Sequence, residues 1–228
     1  MRLKWVILLA SLTLVCACDS DKPADKPVPP SVSTSQLTAN ENAVSATDDQ
    51  KFSYLLGTQY GPPIYVNVPN QTGEMLEMDA MVQGINDDVK KYKDSTFKLQ
   101  MTPEKIREVD SLYAKKIEGR RAAGDNAADV KLAGPITGKP MTIDENSPDI
   151  MKYSYMMGVQ LGEMFISTWK NFEQEFDVNF YVMGIREGIA NMVNPSAKTT
   201  FTMDELKTIH SSYKKKIEAI MDARRSKG

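Results

Sequence analysis

Two side chains on which much enzyme chemistry depends are nearly absent. The 228 residues hold two cysteines, Cys16 and Cys18, and one histidine, His210. No Cys/His spacing offers a zinc site, and no glycine-rich phosphate loop is present, so neither metal nor cofactor is expected. The formal net charge of −2 gives no case for a nucleic-acid partner. The longest apolar run, Trp5–Val15, falls well short of the ~20 residues that span a bilayer as a helix. No segment alternates convincingly as a strand, YVNV at Tyr65–Val68 coming nearest. What is present suits a helical core. Hydrophobic residues make up 41% and charged residues 25%, which argues against wholesale disorder. Fourteen methionines against seven phenylalanines point to packing through flexible side chains that fill irregular gaps.

Residues 1–17, MRLKWVILLASLTLVCA, read as a signal peptide: Arg2 and Lys4 precede the apolar run. Val15-Cys16-Ala17-Cys18 resembles a bacterial lipobox, which implies cleavage before Cys18 and lipidation of its sulfur; an ordinary signal peptide with a chance cysteine is the alternative. On the lipoprotein reading Cys16 leaves with the signal and Cys18 becomes a thioether. The mature chain then has no disulfide, and no triad that joins histidine to cysteine. Two or more acyl chains hold a protein stably on a membrane. The expected location is the bacterial cell envelope, facing the periplasm, and Asp19 after the cysteine favours the inner membrane slightly. Residues 18–50 contain no aromatic residue, are rich in Pro, Ser, Thr and Asp, and show no periodicity. They read as a disordered tether with a reach of about 30 Å.

Beyond the tether the chain repeats itself. KFSYLLGTQYG (Lys51–Gly61) returns as KYSYMMGVQLG (Lys152–Gly162), with six of eleven positions identical. At a spacing of 100, Leu76–Val89 matches Phe176–Ile189 and Met101–Glu118 matches Phe201–Glu218, which indicates an internal duplication. The copies span residues 51–121 and 151–228, and the Gly-, Pro- and Asp-rich stretch 122–150 reads as a linker.

Each block has helical periodicity. Ile106, Val109, Tyr113 and Ile117 form one apolar stripe, as do Leu206, Ile209, Tyr213, Ile217 and Ile220. Thr102-Pro103-Glu104 opens a helix well, and Thr202 with Glu205 forms a capping box. Each copy therefore reads as helix, loop, helix, loop, long helix. Gly57, Gly61 and Gly84, with their counterparts Gly158, Gly162 and Gly184, are costly inside helices, by about 1 kcal/mol each. They either allow close helix approach or mark helix ends. Gly61-Pro62-Pro63 is expected to end the first helix early in copy one. In copy two, Gly162–Phe176 can continue as helix.

The phrase S-Y-x-x-G-x-Q-x-G, carried by Tyr54, Gly57, Gln59 and Gly61 and again by Tyr155, Gly158, Gln160 and Gly162, precedes an aliphatic helix with Gly-Ile and a long charged helix. The combination resembles the amino-terminal domain of FKBP-type peptidyl-prolyl isomerases such as the macrophage infectivity potentiators. The resemblance implies an all-α dimerisation module that assists protein folding. No stretch resembles the family's catalytic domain, and two copies share one chain, which departs from the family pattern. The expectation is an intramolecular pseudo-dimer, with pairing between two molecules as the alternative.

Met164, Phe165, Trp169 and Phe172 form the candidate protein-binding surface, with plain core packing as the competing reading. His210 aligns with Asp110 and reads as a solvated helix residue. Lys214-Lys215-Lys216, Arg120-Arg121 and Arg224-Arg225 read as solubilising runs. The expected protein is a non-catalytic, lipid-anchored envelope protein that binds protein clients or one envelope partner. A dedicated adaptor of one complex and, with little support, a proline isomerase of another fold are the alternatives.

Overall fold

The computed structural model describes residues 45–124 and 136–226. The signal peptide, Cys18, Asp19 and the tether up to residue 44 lie outside the described residues, as does part of the linker. The described residues form six α-helices and no strand: α1 (Asp48–Thr72), α2 (Met78–Lys93), α3 (Pro103–Ala122), α4 (Asp149–Phe172), α5 (Val178–Val193) and α6 (Met203–Arg225). The all-α class is as expected. Among the described residues no helix is long and apolar enough to cross a membrane.

Helix starts follow local chemistry. Thr102 and Thr202 cap α3 and α6, accepting from the amides of Lys105 and Glu205, and Glu205 closes the capping box. Thr47 forms a further box with Gln50, so α1 begins at Asp48, inside the stretch assigned to the tether. That boundary is corrected: the cap satisfies the orphan amides of the first turn and draws residues 48–50 into the helix.

The break expected at Gly61-Pro62-Pro63 does not occur. α1 continues through Pro62, Pro63 and Pro69 for 25 residues. Each interior proline costs about 3 kcal/mol by local preference, so tertiary packing must hold the segment. α1 lies against α5, α6 and α3, with Tyr65, Val68 and Pro69 buried beyond the prolines. Gly73, with φ of 71°, then terminates the helix in a left-handed cap whose amide donates to the Pro69 carbonyl. YVNV lies inside this helix.

The dominant packing joins the two copies. α1 lies against α5, and not against α2, its neighbour in sequence; α4 lies against α2, and not against α5. α1 also touches α6, and α4 touches α3. One continuous core runs through these contacts, including Tyr54, Ile85, Tyr155, Phe165, Tyr181 and Ile185.

The repeated glycines lie where these helices cross. A Cβ placed on Gly57 would overlap the Tyr181 carbonyl oxygen and stand 2.7 Å from the Ile185 nitrogen; on Gly184 it would overlap the Tyr54 carbonyl oxygen. In the other pair, Gly158 meets Met81 in the same way and Gly84 meets Tyr155. Only glycine permits these backbones to come so close, and that explains its presence inside helices despite poor propensity.

Residues 136–147 form an ordered strap rather than a bare linker. Ile143 is 3% exposed, and the strap is bonded to α2 and to the turn before α3. The linker reading misses this docking. The reason is that side-chain amides and a carboxylate fix the strap's backbone, which its composition does not reveal.

Candidate functional site

The repeated phrase places its residues at matching positions. Ser53 accepts from the Asp177 amide at 3.0 Å, and Ser154 accepts from the Glu77 amide at 2.9 Å. Each serine hydroxyl also donates to the carbonyl four residues earlier in its own helix. They tie the start of each first helix to the entry of the other copy's second helix. Tyr54 donates to Glu187 at 2.7 Å, and Tyr155 donates to Asp87 at 3.0 Å. Burial, and then the bond to Glu187, push the Tyr54 phenol well above its ordinary range. Burial chiefly does the same for Tyr155. These phenols are therefore neutral hydrogen-bond donors. Phe52 stacks on Tyr213 with centroids 4.0 Å apart, and Tyr153 stacks on Tyr113 at 3.8 Å. Burial raises the Tyr153 phenol to about 12.

Gln59 and Gln160 are exposed although both copies carry them. Gly61 and Gly162 are buried, Gly61 against Ile185 and Gly162 against Asp88.

The aromatic stretch of copy two is corrected as a partner surface. Phe165 and Trp169 are each 2% exposed, and Phe165 stacks on Tyr181 at 4.3 Å. Met164 and Phe172 are partly buried against the same core. α4 faces neighbours on more than one side, so a shared helical face here is an interior face. His210 is half-buried rather than fully solvated. Cys18 lies outside the described residues. Among the described residues no group of three or more His, Cys, Asp or Glu is placed to hold a metal ion.

A polar network missed in the sequence lies beneath the strap. Asp87 is 1% exposed and accepts from Gln83 at 2.8 Å, from Gln100 at 3.0 Å and from Tyr155 at 3.0 Å. The two glutamines in turn bond the strap backbone at Met141 and Ile143. Asp79 accepts from the amides of Thr137 and Gly138 at 2.8 and 2.9 Å, and also from the Thr137 hydroxyl. Beside the strap, an open groove of about 520 Å³ is lined by Val82, Asn86, Lys90, Pro140 and Val178 among others. Copy two has Asn179, Met183 and Thr200 where copy one has Asp79, Gln83 and Gln100. Differences between the aligned copies were the signal that could have found this site.

Asp88, beside Asp87, is 6% exposed and its Oδ2 has no hydrogen-bond partner among the described residues. Burial and then the charge of Glu163 push its carboxyl up to about 6, against the pull of Lys91 and Lys170. The counterpart of Asp88 in copy two is Gly188.

No family model, no curated protein and no solved structure matches the chain.

Proposed function

We propose that the chain is a non-catalytic, lipid-anchored protein of the bacterial envelope, facing the periplasm. In this reading two dimerisation-type helical modules pair within one polypeptide as a pseudo-dimer, bind other proteins and assist their folding. One observation carries the pairing. Each copy's first helix lies on the second and third helices of the other copy, through glycines at matching positions. Two single-copy chains exchanging their first helices would make the same contacts about a twofold axis. Linking the copies raises their effective concentration to roughly the millimolar range and favours pairing within the chain. The anchor rests on the lipobox-like residues ending at Cys18.

The catalytic part of the reading is negative. Two tyrosine–acid pairs at the crossings, Tyr54 with Glu187 and Tyr155 with Asp87, are engaged in holding helices together. A dedicated adaptor of one envelope complex is favoured by the asymmetry of the copies, since Asp79, Gln83 and Gln100, which bind strap residues 137–143, are replaced in copy two by Asn179, Met183 and Thr200.

The test is light scattering of two unrelated, chemically denatured proteins diluted into the full chain in detergent micelles. Suppressed aggregation of both is the expected result. Protection of neither contradicts the folding role. Measurable acceleration of peptidyl-prolyl isomerisation by the same preparation contradicts the non-catalytic reading.

A further inference from the structure

We propose that Asp79, Gln83 and Gln100 form a binding site for a polypeptide backbone that turns at a left-handed glycine, Gly138, which residues 136–143 of the same chain occupy. The inference holds whether or not the protein assists folding.

The bonding pattern is that of peptide recognition. The Gln100 carboxamide accepts from the Ile143 amide at 2.7 Å and donates to the Met141 carbonyl at 3.1 Å. It thus pairs with two backbone groups, as a neighbouring strand would. Gln83 accepts from the Met141 amide at 3.3 Å, so both backbone groups of Met141 are engaged. Asp79 engages the amides of Thr137 and Gly138.

The receptor is built in advance. Asp87 fixes both glutamine amides from beneath, and Asp87 is itself held by Tyr155 from the other copy. A buried carboxylate whose donors are in place orients the amides before any peptide arrives.

Besides its backbone the occupant contributes the Thr137 hydroxyl, which donates to Asp79, the partly buried Ile136 and Met141, and the deeply buried Ile143, while Gly138, Lys139, Pro140 and Thr142 are exposed. Main-chain bonds supply affinity and the pocket for one side chain supplies selectivity, as in strand-addition recognition. The site therefore fits a segment with a turn-forming glycine that meets Asp79 and an aliphatic residue two positions after the backbone unit held by both glutamines. Tethering gives the strap an effective concentration of roughly millimolar order, so it competes with any external peptide and sets a threshold for binding.

The test uses the full chain with residues 136–143 replaced by Gly and Ser at equal length. The probe is a fluorescein-labelled peptide, ITGKPMTI, read by fluorescence anisotropy. We expect saturable binding to this variant, at least tenfold weaker binding to the native chain, and at least tenfold loss when Gln100→Ala is added. A peptide N-methylated at the residue equivalent to Ile143 loses the bond to Gln100 and is expected to bind at least tenfold more weakly. Absence of saturable binding by a variant that retains native helicity overturns the proposal, as does equal binding of the N-methylated peptide. Should the replacement unfold the chain, amide hydrogen exchange of the native chain decides. Ile143 must be protected and Gln100→Ala must accelerate its exchange at least tenfold; an unprotected Ile143 overturns the site.

Discussion

Gly57 of α1 and Gly184 of α5 face each other across a helix crossing so close that a Cβ on Gly57 would stand 3.0 Å from the Gly184 carbonyl carbon. Gly158 and Gly84 repeat the arrangement between α4 and α2. The obstacle in each case is backbone, which cannot rotate aside as a side chain can.

Gly57→Ala and Gly158→Ala are therefore expected to destabilise. Overpacking costs up to ~3 kcal/mol or more, and better helix propensity returns only about 1 kcal/mol. Gly119 in α3 is the control, because a Cβ there meets nothing within 4 Å. Gly119→Ala is expected to raise stability by up to about 1 kcal/mol. Urea unfolding followed by circular dichroism measures all three. Equal effects at Gly57 and Gly119 contradict the close crossing.

The two tyrosine–acid pairs occupy matching positions but differ in burial. Asp87 is 1% exposed, whereas Glu187 is only partly buried. Removing a donor from a buried charge costs about 1–3 kcal/mol, and less where water replaces it. Tyr155→Phe should consequently cost more than Tyr54→Phe. Glu187 also keeps the amide and hydroxyl of Thr200, each at 2.6 Å. The same unfolding experiment ranks the pair; the reverse order contradicts the network.

Asp88 should make stability depend on pH. Its folded-state carboxyl is raised to about 6 from an unfolded value of 3.8, so the folded chain binds the proton more tightly. The stabilising contribution of the protonated form is complete below the unfolded value and is lost as pH rises through the folded one. Asp88→Asn, permanently neutral, is expected to be more stable than the parent at pH 7 by about 1–3 kcal/mol, with the gap closing towards pH 4. Thermal melts of both proteins across that range provide the check. A gap that widens on acidification contradicts the buried, unpaired carboxylate.

Much of this fold could be read from the chain, because its signals are local and occur twice. The stripe through Val109, Tyr113 and Ile117 and the caps at Thr102 and Thr202 marked the long helices. Comparing the copies paired each glycine with its counterpart, although not with the glycine it touches. Pro62 and Pro63 misled because a local rule argued for a break, while burial of Tyr65 and Val68 beyond them kept α1 intact. Trp169 and Phe165 were ambiguous, since an aromatic face has the same periodicity whether it meets a partner or the core. The strap site was not read: the contrast of Asp79, Gln83 and Gln100 with Asn179, Met183 and Thr200 marked its residues, but only the folded backbone brings 136–143 to them. Cys18 was read from its flanking residues alone and lies outside the described structure.

Pairing of the copies within one chain is tested most directly by the solution mass of the chain from Asp19 onward, measured by sedimentation equilibrium over a wide concentration range. The mass of a single chain at all concentrations is the predicted result. A dimer that persists on dilution would show that each copy pairs with a copy from another molecule, and would contradict the account.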